Sequence, residues 1–147
     1  MIYVLDTDIL SLLAHKDSPE APRIRRRIVQ LPVEHSVVTT VINYEEQMRG
    51  WMASLSRARS SSSEIHIYAL LLQHLGTFRQ MTVLGYSSEA AKIAEQFRRQ
   101  RMPIGAMDIK IASIVLASDA VLVTRNTRDF RKIMGLRMED WSIENGK

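Results

Sequence analysis

The sequence predicts an α/β protein with a mostly parallel central sheet flanked by helices. Two observations carry that prediction. Short β-branched apolar runs alternate along the chain with longer segments of helical pattern. The first of those runs, Ile2-Tyr3-Val4-Leu5, stops abruptly at acid in Asp6-Thr7-Asp8. In an open α/β sheet this puts Asp6 at the carboxyl edge of a strand, where such folds place ligands. A buried, unpaired carboxylate there costs several kcal/mol on an order-of-magnitude scale, so a cationic group is expected nearby.

Ile2–Leu5 reads as a buried parallel strand, and Thr7 or Asp8 as the cap of a short helix over Ile9–Ala14. Pro19 and Pro22 bound a loop before a basic amphipathic helix at Arg23–Gln30. Ser36–Thr39 is the second strand and leads into a helix from about Ile42. Ser60–Ser63 reads as a loop, and Glu64–Phe78 as an apolar helix that pairs with the preceding one in a hairpin. Met81–Leu84 is a short strand. Ser87 caps a helix running to about Gln100, and Met102–Gly105 is a loop. Ala106–Ala117 is a buried helix, Ala120–Thr124 a strand with polar residues at its end, and Asp129–Met134 a short helix stopped by Gly135. Arg137–Met138 adds a last short strand before Trp141.

At 147 residues, 46% hydrophobic and 24% charged, the chain fits one globular domain over residues 1–147, the hairpin included. It has no internal repeat. With no cysteine, disulfides, thiolate zinc sites and a cysteine nucleophile are excluded. The N-terminus enters a strand directly, without a signal-peptide pattern, and Ile111–Ala117 is too short to cross a bilayer. A cytoplasmic protein with no membrane partner is the expectation.

Net charge is +4 with a pI near 9.7. The arginines cluster at Arg23/Arg25/Arg26/Arg27, Arg57/Arg59, Arg98/Arg99/Arg101 and Arg125/Arg128/Arg131 with Lys132. Any one cluster is an ordinary solvated face. Together, on a chain with carboxylates at its strand ends, they favour a polyanionic substrate or an acidic partner.

Asp6 is the leading candidate for chemistry. Glu45 and Glu46 open the helix after the second strand, where the helix dipole alone would explain acid, and on a helix only one of two neighbours faces a given direction. Asp108 opens the most apolar helix; a first-turn cap would explain it too, but its burial-prone surroundings point it into a cleft. Asn126 and Asp129 follow the strand ending at Thr124, and Thr124 and Asn126 are suited to orienting a water or a carboxylate. Carboxylates converging on one sheet edge repel unless a cation bridges them. Oxygen ligands without cysteine favour Mg²⁺ or Mn²⁺ over Zn²⁺, and such an ion supports hydrolysis of a phosphodiester. His15, His35, His66 and His74 show no metalloprotease spacing, and no nucleophile elbow, P-loop or dinucleotide fingerprint is present.

In this order the motifs resemble the PIN-domain ribonucleases, specifically the VapC-like toxins of toxin–antitoxin systems. Tyr3-Val4-Leu5-Asp6-Thr7-Asp8 is similar to the family's first-strand motif, in which the position of Asp8 is more often asparagine. Glu46-Gln47-Met48-Arg49-Gly50 is similar to the acid four residues before glycine, which selects Glu46 over Glu45. Ile104-Gly105-Ala106-Met107-Asp108 resembles the third motif and Leu122–Phe130 the fourth; Gly135–Trp141 resembles a common C-terminal ending.

The resemblance implies a PIN-like three-layer fold and a metal-dependent endoribonuclease, usually dimeric, neutralised by an antitoxin whose tail blocks the cleft. It implies Asp6, Glu46 and Asp108 as ligands of Mg²⁺ or Mn²⁺. Asp129, with Thr124 and Asn126, would serve a second ion or the attacking water. Many members carry a fourth acid where this chain has Asn126; either the nearby Asp129 substitutes for it or the site works with three carboxylates. Two other readings stand beside it. One is a non-catalytic RNA- or protein-binding module, favoured by Asn126. The other is a haloacid-dehalogenase-like phosphatase with Asp6 as nucleophile, weakened by Leu10 and by the lack of a late acid pair.

Overall fold

The computed structural model describes residues 1–15 and 17–144. Its frame is a five-stranded sheet: β1 (Ile2–Leu5), β2 (Ser36–Thr40), β3 (Thr82–Leu84), β4 (Val121–Val123) and β5 (Arg137–Glu139). The order is β3-β2-β1-β4-β5, and every neighbouring pair is parallel. The expected α/β sheet is thus present, and it is wholly rather than mostly parallel. Parallel pairing requires crossovers. Here α1 (Thr7–Ala14) and α2 (Ala21–Gln30) join β1 to β2, while α3 (Val41–Arg57) and α4 (Ser61–Gln80) join β2 to β3. Then α5 (Ser88–Arg99) and α6 (Ala106–Ala117) carry the chain back across the sheet to β4, and α7 (Thr127–Phe130) leads to β5.

The direction of travel reverses between β1 and β4, which makes their carboxyl ends the topological switch point. Alternation along the strands sends Val4, Val38 and Leu122 into one core with Ile111, Ile114, Phe130 and Ile133. Leu5 and Val123 point the other way, into a second core with Ile9, Ile24, Phe78 and Trp141. Helices therefore cover both faces, in three layers. All side chains of β4 are buried, as an unbroken apolar run requires.

Several boundaries differ from the sequence reading, each for a local reason. Pro22 lies inside the first turn of α2 rather than in a preceding loop, since a helix's first N–H groups need no intrahelical partner. The serine run starts a helix instead of breaking one: Ser60 Oγ accepts the Ser63 N–H at 3.1 Å and caps α4. The helix α7 is a single turn at Thr127–Phe130, and Gly135 sits beyond it with φ +84°. The hairpin is as expected: α3 and α4 pack through Tyr44, Trp51, His74 and Phe78, which makes His74 a packing residue.

Candidate active site

At the switch point the chain leaves β1 through Asp6, which is only 6% exposed. Asp6 is itself the N-cap of α1, taking the place expected of Thr7 or Asp8: its Oδ1 accepts the Thr7 N–H at 2.9 Å. Capping and cleft duty are thus not alternatives for this residue. Its other bonds come from residues just past the ends of the two neighbouring strands. Asn43 Nδ2 donates to Oδ1 at 2.9 Å, and Thr124 Oγ1 donates to Oδ2 at 2.8 Å. Thr124 is fully buried and also accepts the Asn126 N–H at 3.0 Å.

Asn43, a residue the sequence reading does not single out, supports the Asp6 carboxylate. It is completely buried in the first turn of α3. Its Oδ1 accepts from Thr40 Oγ1 at 2.7 Å, and its Nδ2 reaches Thr7 Oγ1 at 2.9 Å as well as Asp6. Thr7 Oγ1 in turn donates to Glu46 Oε1 at 2.7 Å. One polar chain therefore runs from β2 through Asn43 and Thr7 to Glu46. The available signal was Asn43 itself, three residues after a strand end in an otherwise apolar turn. Glu45 points elsewhere and pairs with Arg49 at 2.6 Å, so the choice of Glu46 over Glu45 is also what the geometry places at the cleft.

Asp6, Asp8, Glu46, Asp108 and Asn126 line a common cleft of about 470 Å³, together with Arg125. Arg125 is exposed there, and its charge acts weakly on Asp8. Burial, then the charges of Asp6, Glu46, Asp129 and Asp8, push the Asp108 carboxyl up to about 6. Asp8 is pushed up to about 6 as well, by burial first and by Asp6 second, against the Arg125 N–H that donates to its Oδ2 at 3.3 Å. Glu46 is raised by burial, with Thr7 opposing. The cleft thus concentrates negative charge that the protein alone does not neutralise.

Two sequence-derived candidates stand differently. Asn126 lines the cleft but makes no side-chain cap bond to α7. Asp129 does not line it; it stands 3.6 Å from Lys132, although its charge is felt at Asp108. Asp8, given only a capping role by sequence reasoning, is in the cleft instead. Part of the first arginine cluster is structural: Arg23 donates to Ser142 O, Arg25 to Leu13 O, and Arg27 pairs with Glu139 at 2.7 Å.

Among the described residues, no three His, Asp or Glu groups stand in a ready-made metal shell. The donor set nevertheless fits a hard divalent cation. It consists of carboxylate oxygens in mutual repulsion, and Asp8 Oδ1 is buried without a hydrogen-bond partner.

A parallel sheet whose switch point carries an acid-lined cleft defines an α/β protein with a carboxylate site at its strand ends. The chain belongs to the PIN-domain family: residues 3–136 match the PIN domain. It is similar to Ribonuclease VapC1 of Haemophilus influenzae strain R2866, with 32% identity over 144 residues, covering 97% of this chain and 99% of that protein. Its structure is similar to that of VapBC-1 from nontypeable Haemophilus influenzae (29% identity, TM-score 0.71, 97% of this chain and 100% of that one). It is also similar to DNA-bound VapBC from Salmonella typhimurium (28% identity, TM-score 0.69, 96% and 98%). Family membership sets aside the dehalogenase-like reading.

Proposed function

We propose that this chain is an endoribonuclease, the toxin of a toxin–antitoxin pair, that hydrolyses RNA phosphodiester bonds with Mg²⁺ or Mn²⁺. The observation that carries the reading is Asp6, held from three sides at the switch point with Glu46 and Asp108 facing the same cleft. Full-length similarity to a protein named as a ribonuclease supports the substrate class.

Asp6, Glu46 and Asp108 would hold the cation. When bound, it supplies Lewis-acid stabilisation of the charge that develops on a phosphodiester. The remaining work belongs to the chain. Asn43 and Thr124 hold the Asp6 carboxylate in one orientation, and Thr7 does the same for Glu46. Thr124 positions the Asn126 backbone at the rim, and Arg125 places positive charge in the cleft for a phosphate. Asp129 acts at longer range through its charge on Asp108. The basic residues outside the cleft add salt-sensitive attraction for RNA.

An antitoxin and a second copy of the chain are the proposed protein partners. The exposed apolar face of α4, with Ile65 71%, Tyr68 55% and Leu72 70% exposed, supports a partner-bearing surface. Among the described residues no helix is long and apolar enough to cross a membrane.

The test is cleavage of a mixed structured-RNA pool by purified, antitoxin-free protein, with Mn²⁺ or Mg²⁺ against EDTA and wild type against Asp6→Asn. Cleavage that needs both the metal and Asp6 is the expected result. Cation binding in a folded sample that cleaves no RNA would favour the non-catalytic binding module, the reading that Asn126 supports.

A further inference from the structure

The cleft carries a carboxylate that the proposed chemistry does not use. Asp8 lies two residues after Asp6, in the first turn of α1, and lines the same cleft as Asp6, Glu46 and Asp108. Its two oxygens have different surroundings. Oδ2 accepts the backbone N–H of Arg125 at 3.3 Å, which ties the carboxylate to the segment just before Asn126. Oδ1 is buried and has no hydrogen-bond partner. A buried acceptor without a donor is costly, and an anionic one beside Asp6 more so.

Asn126 also lines the cleft, and it brings no charge. Asp129, the other acid on this side, is oriented toward Lys132 and lies outside the cleft lining. The acid that the 124–129 segment does not present in the cleft is therefore available from α1, held against that same segment by the Arg125 N–H.

We infer that Asp8 is the fourth carboxylate of the cation site, with Oδ1 as the donor atom, in place of the charge absent at Asn126. This rests on the reading of the cleft as a cation site. On this assignment the first-strand Asp6-Thr7-Asp8 contributes two ligands from one turn of chain, with Thr7 between them fixing Glu46.

The experiment is Mn²⁺ titration of the purified, metal-stripped full chain by calorimetry, without RNA. Asp8→Asn keeps the shape and retains an oxygen for the Arg125 N–H. It should weaken Mn²⁺ binding by about tenfold or more, since even residues one shell beyond a metal commonly cost about 10–100-fold. It should weaken binding more than Asp129→Asn does. Asp8→Asn/Asn126→Asp should recover affinity, because the charge returns beside the same segment. Circular dichroism and the metal-free thermal midpoint verify folding, and Asp8→Ser serves as a second variant if the asparagine disturbs it.

Wild-type affinity in Asp8→Asn, with binding lost in Asp6→Asn, overturns the assignment and leaves the cleft reading intact. The reverse order of Asp8 and Asp129, or a double variant no tighter than Asp8→Asn, also overturns it. Absence of Mn²⁺ binding in the wild type overturns both the assignment and the cation-site reading.

Discussion

Thr124→Val isolates the hydrogen bonds that hold Asp6 from β4. The side chain is fully buried, so water does not replace what is lost. Valine matches the shape, so no appreciable cavity forms. Two interactions disappear. The first is the 2.8 Å bond from Thr124 Oγ1 to the Asp6 carboxylate, worth about 1.5–3 kcal/mol as a bond to a charged group. The second is the acceptor for the half-buried Asn126 N–H at 3.0 Å, worth about 1 kcal/mol. The expected destabilisation is about 3 kcal/mol. At this chain length that lowers the thermal midpoint by about 6–12 °C.

Thr124→Ser is the internal control. It keeps the hydroxyl and loses a buried methyl, for about 1 kcal/mol. Urea unfolding of metal-free protein at neutral pH, with unchanged m-value, reads both variants. Valine should cost clearly more than serine. If valine costs no more than serine, the hydroxyl does not anchor Asp6 and the reasoning is refuted. Cleavage should fall with Thr124→Val beyond what the stability loss explains, because the Asp6 carboxylate loses one of its fixed orientations.

Three further outcomes are expected. The Asp108 carboxyl is raised from 3.8 to about 6 in the folded protein, so the native state binds this proton more tightly than the unfolded chain, and stability is lost as pH rises through that window. The full shift corresponds to about 3 kcal/mol, which half-exposure to solvent and sharing among neighbouring carboxylates reduce to about 1 kcal/mol; metal-free Asp108→Asn should therefore match wild type near pH 4 and exceed it by about that much at pH 7, and equal midpoints at both pH values would contradict the cause assigned to the shift. Arg27→Met removes the ion pair to Glu139 and the cation over the Trp141 ring at 5.4 Å, for about 1 kcal/mol with a change in Trp141 fluorescence; a double-mutant cycle with Glu139→Gln checks the coupling. Gly135→Ala forces a side chain onto φ +84° and should cost about 1–2 kcal/mol in urea unfolding, while a neutral effect would show that the turn relaxes.

The fold was legible because it depends on patterns one residue type at a time can carry. Ile2–Leu5 and Val121–Val123 are continuous apolar runs, and continuous runs separated by helices pack as buried parallel strands. The errors fell at boundaries, where a single hydrogen bond decides. Ser60 could head a helix or sit in a loop, and only the Ser63 N–H shows which. Asp6, Glu46 and Asp108 were legible as acids placed after successive elements, and the family resemblance chose Glu46 over its neighbour.

What tertiary structure alone decided is which polar groups share a cleft and which spend their charge elsewhere. Asn43 matters because β2 lies beside β1, which brings its amide to Asp6 across 37 positions of sequence. A linear reading makes Asp129 the candidate and Asp8 only a possible cap; in the structure Asp8 lines the cleft and Asp129 stands beside Lys132. The amino-acid sequence by itself determined the strand–helix alternation and the acids at the strand ends, because local periodicity and burial energy act along the chain. Partner choice is set by side-chain direction and by neighbours remote in sequence, and those exist only once the sheet is assembled.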